Sequence, residues 1–188
     1  MFGLGKFFSK SSLCNGMKEP SQTTPTVADD VSGFSESVKA NLKENIRLLG
    51  DIDSKNFEDV YLAAVHSISN NGGSNLHRFA TELSDIDGMT KTQAIQIART
   101  LSNKTASLIS RERQLDLGIE YSVWRYAGAP CMTNPSSPCE SDIERDTAHC
   151  KANGKRYEIR KGLTINGKQT WPGSEDGCKC TSRPVLPF

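Results

Sequence analysis

The sequence contains no apolar run that approaches the ~20 residues needed to span a bilayer. Its opening, Met1-Phe2-Gly3-Leu4-Gly5-Lys6-Phe7-Phe8, lacks the continuous apolar stretch and small-residue cleavage site of a secretory leader. The expectation is a chain made in the cytoplasm with no membrane partner. An excess of either charge is also lacking: 23 basic against 22 acidic residues give a net charge of +1. That balance argues against an electrostatic partner for the molecule as a whole, such as bulk DNA, and leaves room for a local basic face. Neither a glycine-rich nucleophile elbow nor a second acidic motif is present, so the common hydrolase and nuclease signatures are missing.

What is present is unevenly distributed. A hydrophobic fraction of 36% and a mean hydropathy of −0.50 put the chain on the polar side, and 188 residues allow one core of ordinary size, or a helical part with a smaller appendage. Residues 1–35 are rich in Ser, Thr, Gly and Pro without an apolar period, and read as a disordered arm in which Phe2, Leu4, Phe7 and Phe8 are either scattered apolar residues or a motif that orders on a partner. Residues 36–120 read as a helical domain. Val38, Leu42, Ile46 and Leu49 share one helical face, Phe57, Tyr61, Ala64, Val65 and Ile68 repeat the pattern, and Leu76, Phe79, Ala80 and Leu83 make a short third segment. Thr90 with Gln93 three residues on is a capping box, and the stripe Ala94, Ile97, Ala98, Leu101, Thr105, Leu108 and Leu115 predicts one long helix that ends at Gly118. Arg99 falls near that stripe and, if buried, requires a carboxylate.

Beyond Gly118 the period becomes alternating. Tyr121, Val123 and Arg125 oppose Ser122, Trp124 and Tyr126 in a predicted strand, residues 128–141 read as a proline-punctuated loop, and Asn166-Gly167 marks a two-residue hairpin turn. Residues 121–188 are thus expected to form a small irregular β-hairpin unit, and the whole chain an α+β protein. This unit collects Cys131, Cys139, His149, Cys150, Cys178 and Cys180. Clustered Cys and His in a loop-rich unit can hold structural zinc, yet the paired C-x(2–4)-C knuckles of such sites are absent, and Cys178-Lys179-Cys180 is the one close pair. Buried reduced thiols, zinc, and a disulfide formed outside the cell all remain open. Asp146 and His149 could act as base and orienter in hydrolysis, or within a nuclease-like metal site. The alternative is structural, with Arg145 paired to a carboxylate and His149 bonded across the β unit. Lys155, Arg156, Arg160 and Lys161 belong to a run of basic residues that is either a solvated face or a contact for an acidic protein or for DNA.

Several blocks, in order, resemble the Mu-like minor head, or head-morphogenesis, proteins of tailed bacteriophages and prophages. Gly88-Met89-Thr90-Lys91 leading into Ile97-Ala98-Arg99 and Asn103-Lys104 resembles the family's central helix, and Arg111-Glu112-Arg113 through Gly118-Ile119 is similar to the stretch that follows. Trp124, the segment from Arg145 to His149, Asn153-Gly154-Lys155-Arg156-Tyr157, Lys161-Gly162, Trp171-Pro172-Gly173, and Cys178-Lys179-Cys180 with Arg183-Pro184-Val185 resemble its C-terminal signature. The resemblance runs from about Leu42 to Phe188. It implies a non-enzymatic structural component of the virion, inside the head and associated with the portal protein or the major capsid protein, that acts in head assembly or genome delivery. The chain departs from the family in three places: Cys131 and Cys139 lie in an inserted loop, Cys150 follows the family histidine, and Lys179 replaces an arginine. A zinc-stabilised adaptor and a metal-dependent nuclease or toxin-like effector are the competing readings.

Overall fold

A computed structural model of the chain describes residues 34–50, 52–69 and 75–186. The arm expected over residues 1–35 falls outside these, apart from its last two residues. Those two belong to the helical part: Phe34 is buried against Val38, Ile68 and Leu108, and the Ser35 hydroxyl caps the first helix by accepting the Val38 N–H.

The protein is α+β. Helices α1 (Glu36–Leu48), α2 (Phe57–Ser69), α3 (Leu76–Ser84) and the 26-residue α4 (Lys91–Asp116) precede a strand β1 (Tyr121–Arg125), a helix α5 (Glu140–Ala152) and strands β2 (Arg156–Glu158), β3 (Leu163–Ile165), β4 (Lys168–Thr170) and β5 (Thr181–Val185). The apolar stripes of the first four helices meet in one core, where Leu42, Ile46, Val60, Ala64, Phe79, Leu83, Ala94, Ile97, Ala98 and Leu101 are buried. Complete burial of a side chain such as Phe79 or Leu101 contributes about 1.5–3 kcal/mol, so this cluster is what holds the four helices together.

Both ends of α4 form as their residues dictate. Thr90 Oγ1 accepts the Gln93 N–H while Gln93 Oε1 accepts the Thr90 N–H, which completes the capping box. At the other end Gly118 takes φ +71°, its N–H donates to Leu115 O, and the Ile119 N–H donates to Gln114 O. This pair of bonds closes the helix and turns the chain into β1. Arg99 is exposed on α4 and needs no carboxylate.

β1 is the centre of a three-stranded antiparallel sheet in the order β2-β1-β5, while β3 and β4 form a separate hairpin. Asn166 (φ +50°) and Gly167 (φ +77°) make that hairpin's turn, both in the left-handed region that such a turn demands. Pro184 lies on the edge strand β5, where its missing N–H costs no ladder bond. The sheet packs Ser122 and Trp124 inward, each fully buried. A seam of polar contacts joins α4 to this unit. Ser122 donates to Gln114 Oε1 at 2.5 Å, Gln114 Nε2 donates to Ser182 Oγ at 2.9 Å, Ser107 donates to Pro172 O at 2.5 Å, and Lys104 pairs with Asp176 at 2.7 Å.

Neither helix α5 nor strand β5 is announced by the sequence pattern, which reads residues 128–141 as loop. Helix α5 places His149 and Ala152 on the inner side of the unit, with the carboxylate of Asp142 buried near its start.

Candidate metal centre

Four side chains from three separate pieces of chain converge in the C-terminal unit. Cys131 comes from the segment after β1, His149 from the last turn of α5, and Cys178 and Cys180 from the approach to β5; their ligand atoms all lie within 4.8 Å of one another and all four residues are buried. Cys131 Sγ is 3.5 Å from Cys180 Sγ, and His149 Nδ1 is 3.4 Å from Cys178 Sγ and 3.9 Å from Cys180 Sγ. Of the six residues considered from the sequence, the fold brings together these four. Cys139 is the N-cap of α5, exposed, with its sulfur 3.1 Å from Ser141 Oγ. Cys150 follows His149 on the same helix, so its side chain is turned by about 100° around the axis, and it is not among the converging groups.

The supporting groups explain why these four meet. Gly177 has φ +69°, and a Cβ there would lie 2.4 Å from the Met132 carbonyl carbon, so only glycine lets the loop that carries Cys178 pass against the loop that carries Cys131. Lys179 donates to Pro130 O at 2.9 Å and ties the same two loops together. Asp146 accepts the Cys131 N–H and the Tyr126 hydroxyl, each at 2.7 Å. Arg145 donates to Cys131 O at 3.1 Å and pairs with the buried Asp142, which also accepts the Thr133 N–H. The Gly173 N–H points at Cys178 Sγ from 3.3 Å. On the far side of the imidazole, His149 Nε2 faces Glu175 Oε2 at 3.6 Å. Trp124 packs edge-on against His149 with 5.1 Å between ring centroids.

Electrostatics within the cluster is strongly perturbed. Hydrogen bonds from Cys178 and Cys180 hold the Cys131 thiol well below the ordinary range, and the reciprocal contacts push Cys180 up. Burial works against a charged His149, yet its bonds to Cys131, Cys178 and Glu175 outweigh that and push it up to about 11. The bond to His149 in turn lowers Glu175 to about 2. Burial, then the Asp146 bond, raises the Tyr126 hydroxyl. Three sulfurs and one imidazole nitrogen are the donors that suit thiophilic transition metals.

Asp146 and His149, paired in one sequence reading as base and orienter, have different partners. Asp146 is committed to Tyr126 and to the Cys131 backbone, and His149 to the sulfurs and Glu175. Glu175 and Gly177 were not singled out from the sequence; their signal, an acid and a glycine just ahead of the close cysteine pair, takes meaning only from the folded site. The remaining family-like residues gather at the seam or beside the cluster. Trp171 donates its Nε1–H to Ile159 O at 2.8 Å and stacks under Arg111, whose pKa burial lowers. Pro172 and Gly173 are buried against Ser107. Gly154 (φ +81°) turns the chain after α5 so that its N–H reaches Trp124 O. Asn103 and Arg113 are exposed on α4, and Lys155, Arg156, Arg160 and Lys161 are exposed beyond it, Arg156 over the Tyr121 ring and Lys161 paired with Glu158. No protein-family model, curated protein or solved structure matches this chain.

Proposed function

We propose that this protein is a minor head component of a tailed bacteriophage, a structural part that docks on the portal or inner capsid during head assembly or genome delivery. The observation that carries the reading is how the family-like residues are used. Trp124, Arg145, His149, Trp171, Pro172, Gly173, Cys178 and Cys180 are turned into the unit's own interior or held in bonds between its loops. Residues used in this way shape a rigid surface, which is the requirement for docking, and they leave the basic residues Lys155, Arg156, Arg160 and Lys161 outside for an acidic partner surface. The nuclease alternative draws less support, because a catalytic metal keeps a coordination position open to substrate, whereas all four converging groups here are buried.

The test is purification of portal complexes from cells producing the phage. The chain should accompany portal protein, and charge reversal at Lys155 and Arg160 should weaken that association and remove part of its salt dependence. Portal complexes without the chain, or cleavage of DNA by the purified protein that is lost in His149→Ala, would overturn the reading.

A further inference from the structure

We infer that Cys131, His149, Cys178 and Cys180 bind one Zn²⁺ ion as a closed, structural Cys₃His centre. Four observations carry this, independently of the role in the phage head. The first is geometry. A tetrahedral zinc with sulfur ligands at about 2.3 Å sets its sulfurs about 3.8 Å apart. The separations of 3.5 Å between Cys131 and Cys180, and of 3.4 and 3.9 Å from His149 Nδ1 to the sulfurs of Cys178 and Cys180, have that scale. A disulfide needs sulfurs at about 2.05 Å, and each of these three cysteines carries a free thiol.

The second observation is that the imidazole is oriented as a ligand. Nδ1 faces the sulfurs while Nε2 faces the Glu175 carboxylate, the arrangement in which an outer carboxylate fixes the tautomer of a zinc-bound histidine. The third is the shell around the sulfurs. The Gly173 N–H is aimed at Cys178 Sγ, and the backbone on both sides of Cys131 is pinned, its N–H by Asp146 and its carbonyl by Arg145. The bond donated to the Cys178 sulfur stabilises its thiolate, the form that binds metal, and the two backbone bonds hold Cys131 in position.

The fourth is the size of the core. The buried cluster of this unit is Trp124, Cys131, Ala152, Tyr157, Cys178 and Cys180, so half of it is ligand cysteine, and Tyr126, Leu163, Ile165 and Trp171 pack against it only partly buried. An apolar core that small falls short of what a unit with a five-residue central strand and a short hairpin needs, and small units make up the difference with a metal or disulfides. The choice of ion follows from the donors: three thiolates and an imidazole with no fourth cysteine suit tetrahedral zinc. With four protein ligands, all buried, no position remains for water or substrate, and the centre acts as a clamp that fastens the Cys131 loop and α5 to the approach to β5.

The experiment uses the full untagged chain, purified under reducing conditions from zinc-supplemented cells. Elemental analysis should find one zinc per chain, and Co²⁺ exchanged into the protein should give the intense visible absorption and thiolate charge-transfer bands of a tetrahedral site. Cys139→Ser should retain the full metal complement. Glu175→Gln should retain one zinc per chain but release it to a competing chelator at a roughly 10–100-fold lower affinity. Cys178→Ser should lose the metal; because that variant can also unfold, the Glu175→Gln affinity and the cobalt spectrum serve as separate readouts. A folded, reduced wild-type chain that takes up no Zn²⁺ or Co²⁺ when titrated would overturn the assignment, as would a disulfide joining any two of the three cysteines in the native protein.

Discussion

At the scale of single residues, the C-terminal unit rests on a few positions with no substitute. Gly177 and Gly154 both hold positive φ, and they separate backbone strain from steric exclusion. Gly154→Ala meets open space and should cost only the left-handed backbone penalty, about 1–2 kcal/mol. Gly177→Ala also drives a methyl into the Met132 backbone, and should cost more than its counterpart in urea unfolding while lowering metal affinity; equal losses for the two variants would contradict the described loop packing. Asp142 supplies a pH dependence. Burial opposes its charge, but the Thr133 N–H and the Arg145 guanidinium outweigh burial and hold its pKa below the ordinary 3.8. Because the folded value lies below the unfolded one, the carboxylate's contribution is complete above about pH 4 and is lost as pH falls through the folded value. Asp142→Asn should therefore reduce stability at neutral pH by about 1–3 kcal/mol and flatten the stability profile on the acid side, as read by urea titrations at stepped pH.

At the scale of elements, α4 is the member that both halves share. Its first turns pack in the helical core, and its last turns carry Gln114, whose amide reaches Ser110, Ser122 and Ser182. Gln114→Leu removes the acceptor of the buried Ser122 hydroxyl, and an unsatisfied buried donor costs about 1–3 kcal/mol; thermal unfolding should register the loss. Thr90→Ala breaks the capping box and should cost about 1 kcal/mol, with a proportionate fall in the midpoint of helix unfolding. The contrast between α4 and α5 shows what made elements legible. The stripe of α4 is apolar because it faces an apolar core, and the spacing of Ala94, Ile97, Ala98 and Leu101 announces it. The buried residues of α5 are Asp142, His149 and Ala152, two of them polar, because that helix faces the sulfur cluster and the loop that Asp142 and Arg145 hold. An inward face made of polar groups has no apolar period to read. Its start is equally quiet, since Cys139 as N-cap makes no side-chain hydrogen bond. The remaining hints were the acids of its first turn and the basic residues of its last.

At the scale of the whole molecule, two larger cores of different kinds stand on either side of the α4 seam, with a smaller cluster of Phe34, Val38, Ile68 and Leu108 beside the helical one. The helical core is a conventional apolar cluster that does not include the cysteine site. The C-terminal core is built around that site. Removal of metal by a strong chelator should thus abolish the near-ultraviolet circular dichroism of Trp124, which packs against His149, while most far-ultraviolet helical signal persists. Simultaneous loss of both signals would show that the helical part depends on the metal as well.

The sequence by itself determined the class of the protein, the four amphipathic helices with the caps of the longest, the strand after Gly118 and the Asn166-Gly167 hairpin, because each is written in local periodicity and turn chemistry. It also placed five of the six cysteines, together with His149, in one unit. Which of them meet was decided by the tertiary structure. Cys131 and Cys180 are 49 residues apart, and they become neighbours only when β5 pairs with β1 and Gly177 lets two loops touch. Helical phase then selects His149 over Cys150, although the two are adjacent in sequence. A ligand set assembled from separate segments is fixed by strand register and helix rotation, quantities that spacing along the chain does not encode.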